Sequence, residues 1–109
     1  MSQDVDEEGR PCPPLPDLAG AEWRDMKIVN RKGLHARATA KFVQCVDRFD
    51  AEITVTRCGE TVGGDSIMGI LTLGAGLGST ISVSARGAQA KEALDAIAAL
   101  VADRFGEDE

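Results

Sequence analysis

Short segments in which apolar and polar residues alternate constrain the fold of this chain more than any other feature. Residues 22–29, 52–57 and 80–85 each place apolar side chains on one face and serine, threonine or charged side chains on the other. A fourth short segment, 60–62, follows a cysteine-glycine turn. Such alternation is typical of an antiparallel sheet with one face covered and the other in water. The pattern therefore predicts a sheet that needs a second layer on one face only.

Three segments with helical spacing supply that layer. Residues 36–49 and 88–105 repeat apolar side chains every three or four positions, which is typical of amphipathic helices. Between them, residues 67–73 favour a short helix with Ser66 at its N-cap and Gly74 at its end. The order is β-α-β-β-α-β-α. We predict an α/β (α+β) fold, an open-faced sandwich in which three helices cover one face of a four-stranded antiparallel sheet.

The formal charge of −6 is concentrated at the two ends of the chain. Residues 1–25 hold seven acids and two bases, residues 105–109 hold three acids and no base, and residues 26–104 hold eight acids and ten bases. The middle of the chain is therefore mildly basic. The basic residues near the only histidine are Arg31, Lys32, Arg37 and Lys41. An acidic chain with three Phe, one Trp and no Tyr makes a poor binder of nucleic acid.

The composition of the ends predicts tails around one domain. All four prolines lie in residues 11–16, after an acidic run, and this composition is typical of a disordered, extended segment. The first residues lack the basic and apolar regions of a secretory signal, and no stretch is apolar enough to span a membrane. We therefore expect a cytoplasmic monomer. The predicted division is a disordered tail at 1–20, a folded domain at 21–105 and an acidic tail at 106–109.

The three cysteines, Cys12, Cys45 and Cys58, are an odd number without a closely spaced pair. This pattern indicates neither a disulfide framework nor a zinc site. Cys45 falls on the apolar stripe of the first predicted helix, where we expect it to be a small buried hydrophobe. One histidine and scattered cysteines offer no set of metal ligands, so we expect neither a metal nor a cofactor.

The histidine, His35, lies where the first loop meets the first predicted helix. A helix start has unpaired backbone N–H groups and a partial positive charge, so it favours phosphate and disfavours a charged imidazolium ring. Arg37 adds a planar guanidinium group that suits phosphate oxygens. These residues alone leave two interpretations open: an ordinary surface or capping histidine, or a histidine that accepts a phosphoryl group.

Two blocks of sequence favour the second interpretation. Residues 33–37 read Gly-Leu-His-Ala-Arg, with Phe42-Val43 downstream, and small and apolar residues fill a second block at 65–75. His35 and Ser66, one in each block, stand 31 residues apart. These blocks and their spacing resemble the active-site signature and the regulatory-serine segment of HPr, the histidine-containing phosphocarrier of the bacterial phosphotransferase system. The resemblance spans about residues 21–105 and implies the HPr fold, which has the order predicted above.

The resemblance implies a phosphoryl carrier, a covalent phosphotransfer intermediate rather than a turnover enzyme. His35 would take a phosphoryl group on Nδ1 from phosphorylated enzyme I, which phosphoenolpyruvate charges, and pass it to an EIIA-type acceptor. Arg37 would stabilise the phosphoryl group. The backbone N–H groups that would bind its oxygens belong to Ala36, Arg37 and Ala38.

The resemblance also implies regulation and docking. Ser66 would be phosphorylated by HPr kinase/phosphorylase, which would place negative charge in the docking surface and repel partners. The side chains expected to contact partners are those of Ala40, Ile67, Met68 and Leu71. For Met68 and Leu71, packing in the core is an equally supported interpretation.

One position departs from the family pattern. Proline usually follows the active-site arginine, whereas this chain has Ala38. Alanine keeps a helical first turn and restores a backbone N–H, which predicts a further donor to the phosphoryl group. With the acidic N-terminal extension, the departure favours a nitrogen-regulatory chain over sugar uptake. The alternatives are a non-phosphorylated regulatory docking module on the same fold and a small-molecule-binding sandwich, and neither of them needs both His35 and Arg37.

Overall fold

The computed structural model describes residues 12–109 and contains one sheet and three helices. The strands are β1 (Glu22–Lys27), β2 (Glu52–Arg57), β3 (Glu60–Gly63) and β4 (Thr80–Arg86). The helices are α1 (Ala36–Val46), α2 (Ile67–Thr72) and α3 (Ala90–Ala102), followed by a 3₁₀ helix at Arg104–Gly106. The predicted order and the open-faced sandwich are confirmed.

The sheet has the strand order β1-β4-β2-β3, and every neighbouring pair is antiparallel. Strand β4 lies inside the sheet, where Val83 is opposite Arg24 of β1 and Val55 of β2. The alternation in the sequence explains the two faces. Val55 and Val83 are fully buried under the helices, while Ser82 donates a hydrogen bond to Asp25 on the open face at 2.7 Å.

The helices bury one continuous core against the covered face. Phe42 of α1, Ile70 of α2 and Ile97 of α3 are each fully buried. Cys45 is buried on α1 with a free thiol, as its place on the apolar stripe predicts. Burial raises the pKa of this thiol, and the charge of Arg48 lowers it by a smaller amount.

Both long helices are shorter than predicted because the backbone turns away at their ends. Helix α1 ends at Val46, and Phe49 packs against the core from the bends that follow. Helix α3 ends at Ala102 because Arg104 and Phe105 adopt left-handed backbone conformations, with φ of 59° and 56°. Phe105 is fully buried and therefore continues the apolar pattern of α3, but it reaches the core from the turn after the helix.

The interpretation of the cysteines was wrong for two of the three. Cys12 and Cys58 form a disulfide with a Cα–Cα distance of 4.7 Å and a sequence separation of 46. The segment around Cys12 lies against the β2–β3 turn, where a Cβ atom on Gly59 would stand 2.9 Å from Pro13. Cysteine number and spacing do not reveal such an approach, because it depends on where the chain end packs on the folded domain.

The segment before β1 forms no helix or strand between residues 12 and 20. Besides the disulfide, Arg86 at the end of β4 donates a hydrogen bond to the carbonyl of Ala19 at 3.3 Å. The first part of the expected tail, residues 1–11, lies outside the described residues, and disorder of the tail stays a prediction. Across residues 12–109, no helix has the length and apolar character needed to cross a membrane.

Candidate functional site

The loop between β1 and α1 is fixed by a close backbone contact. Gly33 has a φ of 66°, and a Cβ atom at this position would lie 2.4 Å from the carbonyl oxygen of Ala75. The neighbouring N–H of Leu34 donates to that same oxygen at 2.9 Å. Glycine is therefore required at position 33. The contact holds the loop against the 74–78 turn and fixes the place where α1 begins.

His35 is the N-cap residue of α1. Its backbone is extended, with φ −75° and ψ 178°, and its carbonyl accepts the N–H of Thr39 at 2.9 Å. The imidazole does not cap the helix. Within residues 12–109, the N–H groups of Ala36, Arg37 and Ala38 donate to no protein group. Ala36 and Arg37 are exposed and Ala38 is buried. The ring of His35, 28% exposed, therefore stands beside N–H groups without a protein partner at the positive end of a helix.

An open cavity of about 360 Å³ lies beside this helix start. The basic residues that line it are Arg31, Lys32 and Arg37, together with His35, and its acidic residues are Glu107, Asp108 and Glu109. Arg37 is exposed and forms no hydrogen bond or ion pair with any residue of the described part of the chain. Its guanidinium group is therefore available to an anion in the cavity.

The acidic wall of the cavity comes from the C-terminal end, which the sequence analysis set outside the domain as a tail. Arg31 anchors Glu109 twice, through an ion pair of 2.9 Å and through its backbone N–H, which donates to the Glu109 carbonyl at 2.8 Å. Closer to the ring, the Oε2 atom of Glu107 contacts Nε2 of His35. These contacts place residues 107–109 in the site.

Asn30 fixes the carboxylate that contacts the histidine. Its Nδ2 atom donates to the carbonyl of Gly33 at 2.8 Å and to Oε1 of Glu107 at 3.0 Å. The hydrogen bond from Asn30, followed by that from His35, lowers the pKa of Glu107. The carboxylate is therefore held in its ionised form.

The charge distribution predicts that Lys41 lies with the other basic residues around the histidine. In the structure it does not. Its Nζ atom donates to the carbonyl of Phe105 at 2.6 Å and so holds the 3₁₀ helix at the end of α3. Asn30 and Glu107 are the site residues that the sequence analysis missed. The sequence does contain three acids at 107–109 and a basic loop near His35, but no pattern in it shows that these two segments are in contact. Asn30 carried no signal.

The match to a known family decides which family this chain belongs to. A family model described as the PTS HPr component phosphorylation site matches residues 23–103, which include His35, Arg37 and Ser66. The chain belongs to the HPr family. The resemblance seen in the sequence is thereby confirmed, and the relatives that match the chain are phosphocarrier proteins.

Individual members of the HPr family are similar over most of the chain. The phosphocarrier protein HPr of Cupriavidus necator is 46% identical over 86 residues, which cover 79% of this chain and 97% of that protein. The phosphocarrier protein NPr of Shewanella violacea is 43% identical over 84 residues, or 77% of this chain and 92% of that protein. A crystal structure of HPr from Thermoanaerobacter tengcongensis superposes with a TM-score of 0.78 at 38% identity, covering 81% of this chain and 99% of that one.

The second block of the HPr resemblance forms α2 and its cap. Ser66 is the N-cap, since its Oγ accepts the N–H of Gly69 at 3.0 Å, as predicted. Ile67 and Met68 are 44% and 71% exposed, so core packing does not explain Met68. Leu71 is half-buried, as is Ala40 on α1, and α1 packs against α2. The predicted docking residues therefore lie on two helices in contact, two of them well exposed.

No metal site accompanies this arrangement within residues 12–109, where no three His, Cys, Asp or Glu side chains are grouped to hold an ion.

Proposed function

We propose that His35 carries a phosphoryl group on Nδ1. It takes the group from phosphorylated enzyme I, for which phosphoenolpyruvate is the ultimate donor, and passes it to a histidine of an EIIA-type acceptor. The observation that carries this proposal is the position of the His35 ring at the start of α1, beside the N–H groups of the exposed residues Ala36 and Arg37 and the cavity that Arg37 lines. Membership in a family of phosphocarriers supports the same chemistry.

The transfer exchanges one phosphorus–nitrogen bond for another. The lone pair of Nδ1 attacks phosphorus, the bond to the donor histidine breaks, and that nitrogen leaves with the electron pair. The N–H groups of Ala36, Arg37 and Ala38 and the guanidinium of Arg37 bind the phosphoryl oxygens. Because the carrier must both accept and release the group, the site contributes positioning and charge stabilisation rather than a strong preference for one state.

The exposed part of α2 supports a docking role next to the reacting histidine. Ile67 and Met68 form an apolar surface with the half-buried Leu71 and with Ala40 of α1. Enzyme I and the acceptor would bind this surface in turn. Phosphorylation of Ser66 by HPr kinase/phosphorylase would add up to about two negative charges there and weaken both complexes.

The carrier could serve either sugar uptake or a nitrogen-regulatory chain of the phosphotransferase system. Relatives named HPr and NPr match this chain at 46% and 43% identity, so the acceptor must be identified by assay. We propose a nitrogen-regulatory chain, on the strength of Ala38 in place of proline. Phosphoryl transfer to a sugar-type EIIA faster than to a nitrogen-type EIIA would contradict this choice.

The carrier role is tested with purified enzyme I and phosphoenolpyruvate labelled in its phosphoryl group. The protein should acquire one label that is stable in base, labile in acid and absent from His35→Ala. Arg37→Ala should still be labelled, at a rate lower by about tenfold to a hundredfold, because it loses a charge-assisted hydrogen bond to the phosphoryl group.

Two outcomes would contradict the carrier role. One is a wild-type protein that binds enzyme I without acquiring label, which would favour the regulatory docking module instead. The other is equal labelling of His35→Ala, which would place the phosphoryl group elsewhere. Since His35 is the only histidine of the chain, no second imidazole complicates the assignment.

A further inference from the structure

The C-terminal segment brings a carboxylate to the nitrogen of His35 that the proposed transfer does not use. Glu107 contacts Nε2, whereas Nδ1 makes no hydrogen bond with any of residues 12–109. The Glu107 side chain is 17% exposed and the ring 28%, so the contact is partly buried at the wall of the open cavity. The two nitrogens of the ring therefore have different surroundings.

We propose that Glu107 is a positioning residue that directs the phosphoryl group to Nδ1 by holding the proton of His35 on Nε2. The inference deepens the proposed function and rests on it, since it concerns the same histidine. Glu107 need not contact the phosphoryl group, because the two ring nitrogens lie on different edges of the imidazole.

The direction of the effect follows from the hydrogen-bonding capacity of the two groups. An ionised carboxylate only accepts hydrogen bonds, so the ring nitrogen that contacts it must carry the proton. In a neutral imidazole, the other nitrogen then has the free lone pair. Contact between Glu107 and Nε2 therefore leaves Nδ1 of His35 as the nucleophile and makes Nε2 unreactive.

The same carboxylate suits the product of the transfer. Once phosphorus is bound to Nδ1 and the proton remains on Nε2, the ring carries a delocalised positive charge. Glu107 lies next to that charge and stabilises it, and the charges of Arg31, Lys32 and Arg37 in the cavity act in the opposite sense on the ring. The proton stays on Nε2 throughout, so the transfer requires no separate proton acceptor.

Asn30 is the residue that makes this position rigid. It is fully buried, and its Nδ2 links Glu107 to the carbonyl of Gly33 two residues before the histidine. Its Oδ1 atom is buried without a hydrogen-bond partner in the described part of the chain, which is costly. The Nδ2 group of Asn30 donates to both the Gly33 carbonyl and Glu107, and so it joins the loop to the C-terminal carboxylate.

The first test is the tautomer of His35, read from ¹⁵N chemical shifts at about pH 8, where an ordinary imidazole is neutral. The wild type should show the Nε2–H tautomer alone. Glu107→Ala should lower the ratio of Nε2–H to Nδ1–H by roughly tenfold, which corresponds to about 1.4 kcal/mol. Glu107→Gln retains an acceptor oxygen and should fall between the two.

The matched control is Glu109→Ala, which removes a carboxylate from the same cavity without touching the ring. It should leave the tautomer unchanged. A circular dichroism spectrum of each variant shows that the domain is folded. An equal tautomer ratio in the wild type, Glu107→Ala and Glu109→Ala would overturn the inference, and so would an equal shift in both variants.

The second test uses phosphoramidate, a small donor that needs no partner protein. Its phosphorus–nitrogen bond breaks, ammonia leaves, and a new bond forms to a ring nitrogen of His35. ³¹P and ¹⁵N spectra should show only the Nδ1 adduct in the wild type and in Glu109→Ala, and both adducts in Glu107→Ala. The same mixture of adducts in all three proteins would overturn the inference.

These tests separate the inference from the proposed function. If the wild type takes label from enzyme I but the tautomer ratio and the adducts are the same in Glu107→Ala as in the wild type, the carrier role stands and the positioning role fails. If His35 takes no label from enzyme I, the carrier role fails, and with it any positioning for transfer, even where the spectra show the Glu107 contact.

Discussion

At the scale of single residues, His35 is defined by what surrounds its two nitrogens. The helix start provides donors on the side of the backbone, and Asn30 and Glu107 provide a fixed acceptor for Nε2. One ring nitrogen is therefore in contact with a carboxylate, and the other has no hydrogen-bond partner within residues 12–109. Glu109 pairs with Arg31, and Arg37 has no ion-pair partner within residues 12–109.

The lowered pKa of Glu107 makes its contribution to folding depend on pH. A carboxyl whose pKa is lower in the folded state adds stability above its unfolded value of about 4.3, and that stability disappears as the pH falls through the folded value. The unfolding free energy of Glu107→Gln should therefore be below that of the wild type at neutral pH and should approach it below the folded pKa. Urea unfolding of both proteins across this range is the measurement.

Glu109→Gln provides the control for that series, because it makes the same charge change on a side chain that is 67% exposed. Its effect should be small at every pH, as expected for a surface ion pair. A difference between wild type and Glu107→Gln that stays constant from neutral to acid pH would mean that the Asn30 and His35 contacts do not hold the carboxylate.

At the scale of elements, the starts of α1 and α2 serve different purposes. The first leaves its N–H groups open beside His35, while the second is closed by the Ser66 side chain. Helix α2 has only six residues, so its stability depends on that cap and on the burial of Ile70. The start of α1 therefore has no side-chain cap, and the start of α2 is stabilised by one.

Two substitutions at Ser66 should separate capping from regulation. Ser66→Ala removes the acceptor for the Gly69 N–H and should lower the unfolding free energy by about 1 kcal/mol, with little effect on labelling by enzyme I. Ser66→Asp keeps an acceptor and adds a favourable charge at the helix start, so it should be nearly as stable as the wild type. It should, however, acquire label more slowly. Equal labelling rates for the two variants would contradict the regulatory role.

The alanine that follows Arg37 gives a test of the first helix start. Ala38→Pro removes a buried N–H that has no acceptor in the described part of the chain, at a position in the first turn, where proline is tolerated. If that N–H binds the phosphoryl group, the phosphohistidine of the variant should have a different lifetime from that of the wild type. Time courses of both labelled proteins, quenched in alkali, provide the measurement, and equal lifetimes would show that the N–H of Ala38 does not contribute.

The sequence was sufficient for those parts of the fold that local periodicity determines. Alternation is a two-residue property, and it placed β2 at its observed bounds and the other strands within one or two residues. The helical spacing that begins after residue 35 likewise placed His35 at a helix start. The contacts of Glu107 join residues 72 and 77 positions apart, and the Cys12–Cys58 pair spans 46, so no local pattern recorded them.

At the scale of the whole molecule, the net charge of −6 conceals an arrangement in which the C-terminal acids lie against the basic loop. The C-terminal end is held by Asn30, Arg31 and Lys41, and the segment before β1 is held by the disulfide to Cys58. Both described ends are therefore joined to the domain, one at the site and the other at the β2–β3 turn.

The disulfide makes the stability of the molecule depend on redox conditions. A bond that closes a loop of 46 residues restricts the unfolded chain, and in the chain-entropy model this is worth on the order of 4 kcal/mol. Reduction with dithiothreitol should therefore lower the urea midpoint of the wild type to that of Cys12→Ser, which should itself not respond to the reductant. Cys45 is buried and unpaired, so Cys45→Ala should keep the full response to reduction and confirm that the effect belongs to the other two cysteines.

The cavity at His35 is built from neither end of this bond, so reduction should leave labelling by enzyme I unchanged while the protein stays folded. Identical urea midpoints with and without reductant would show that Cys12 and Cys58 do not pair in solution, whereas a loss of labelling in the folded, reduced protein would show that the N-terminal segment acts on the site.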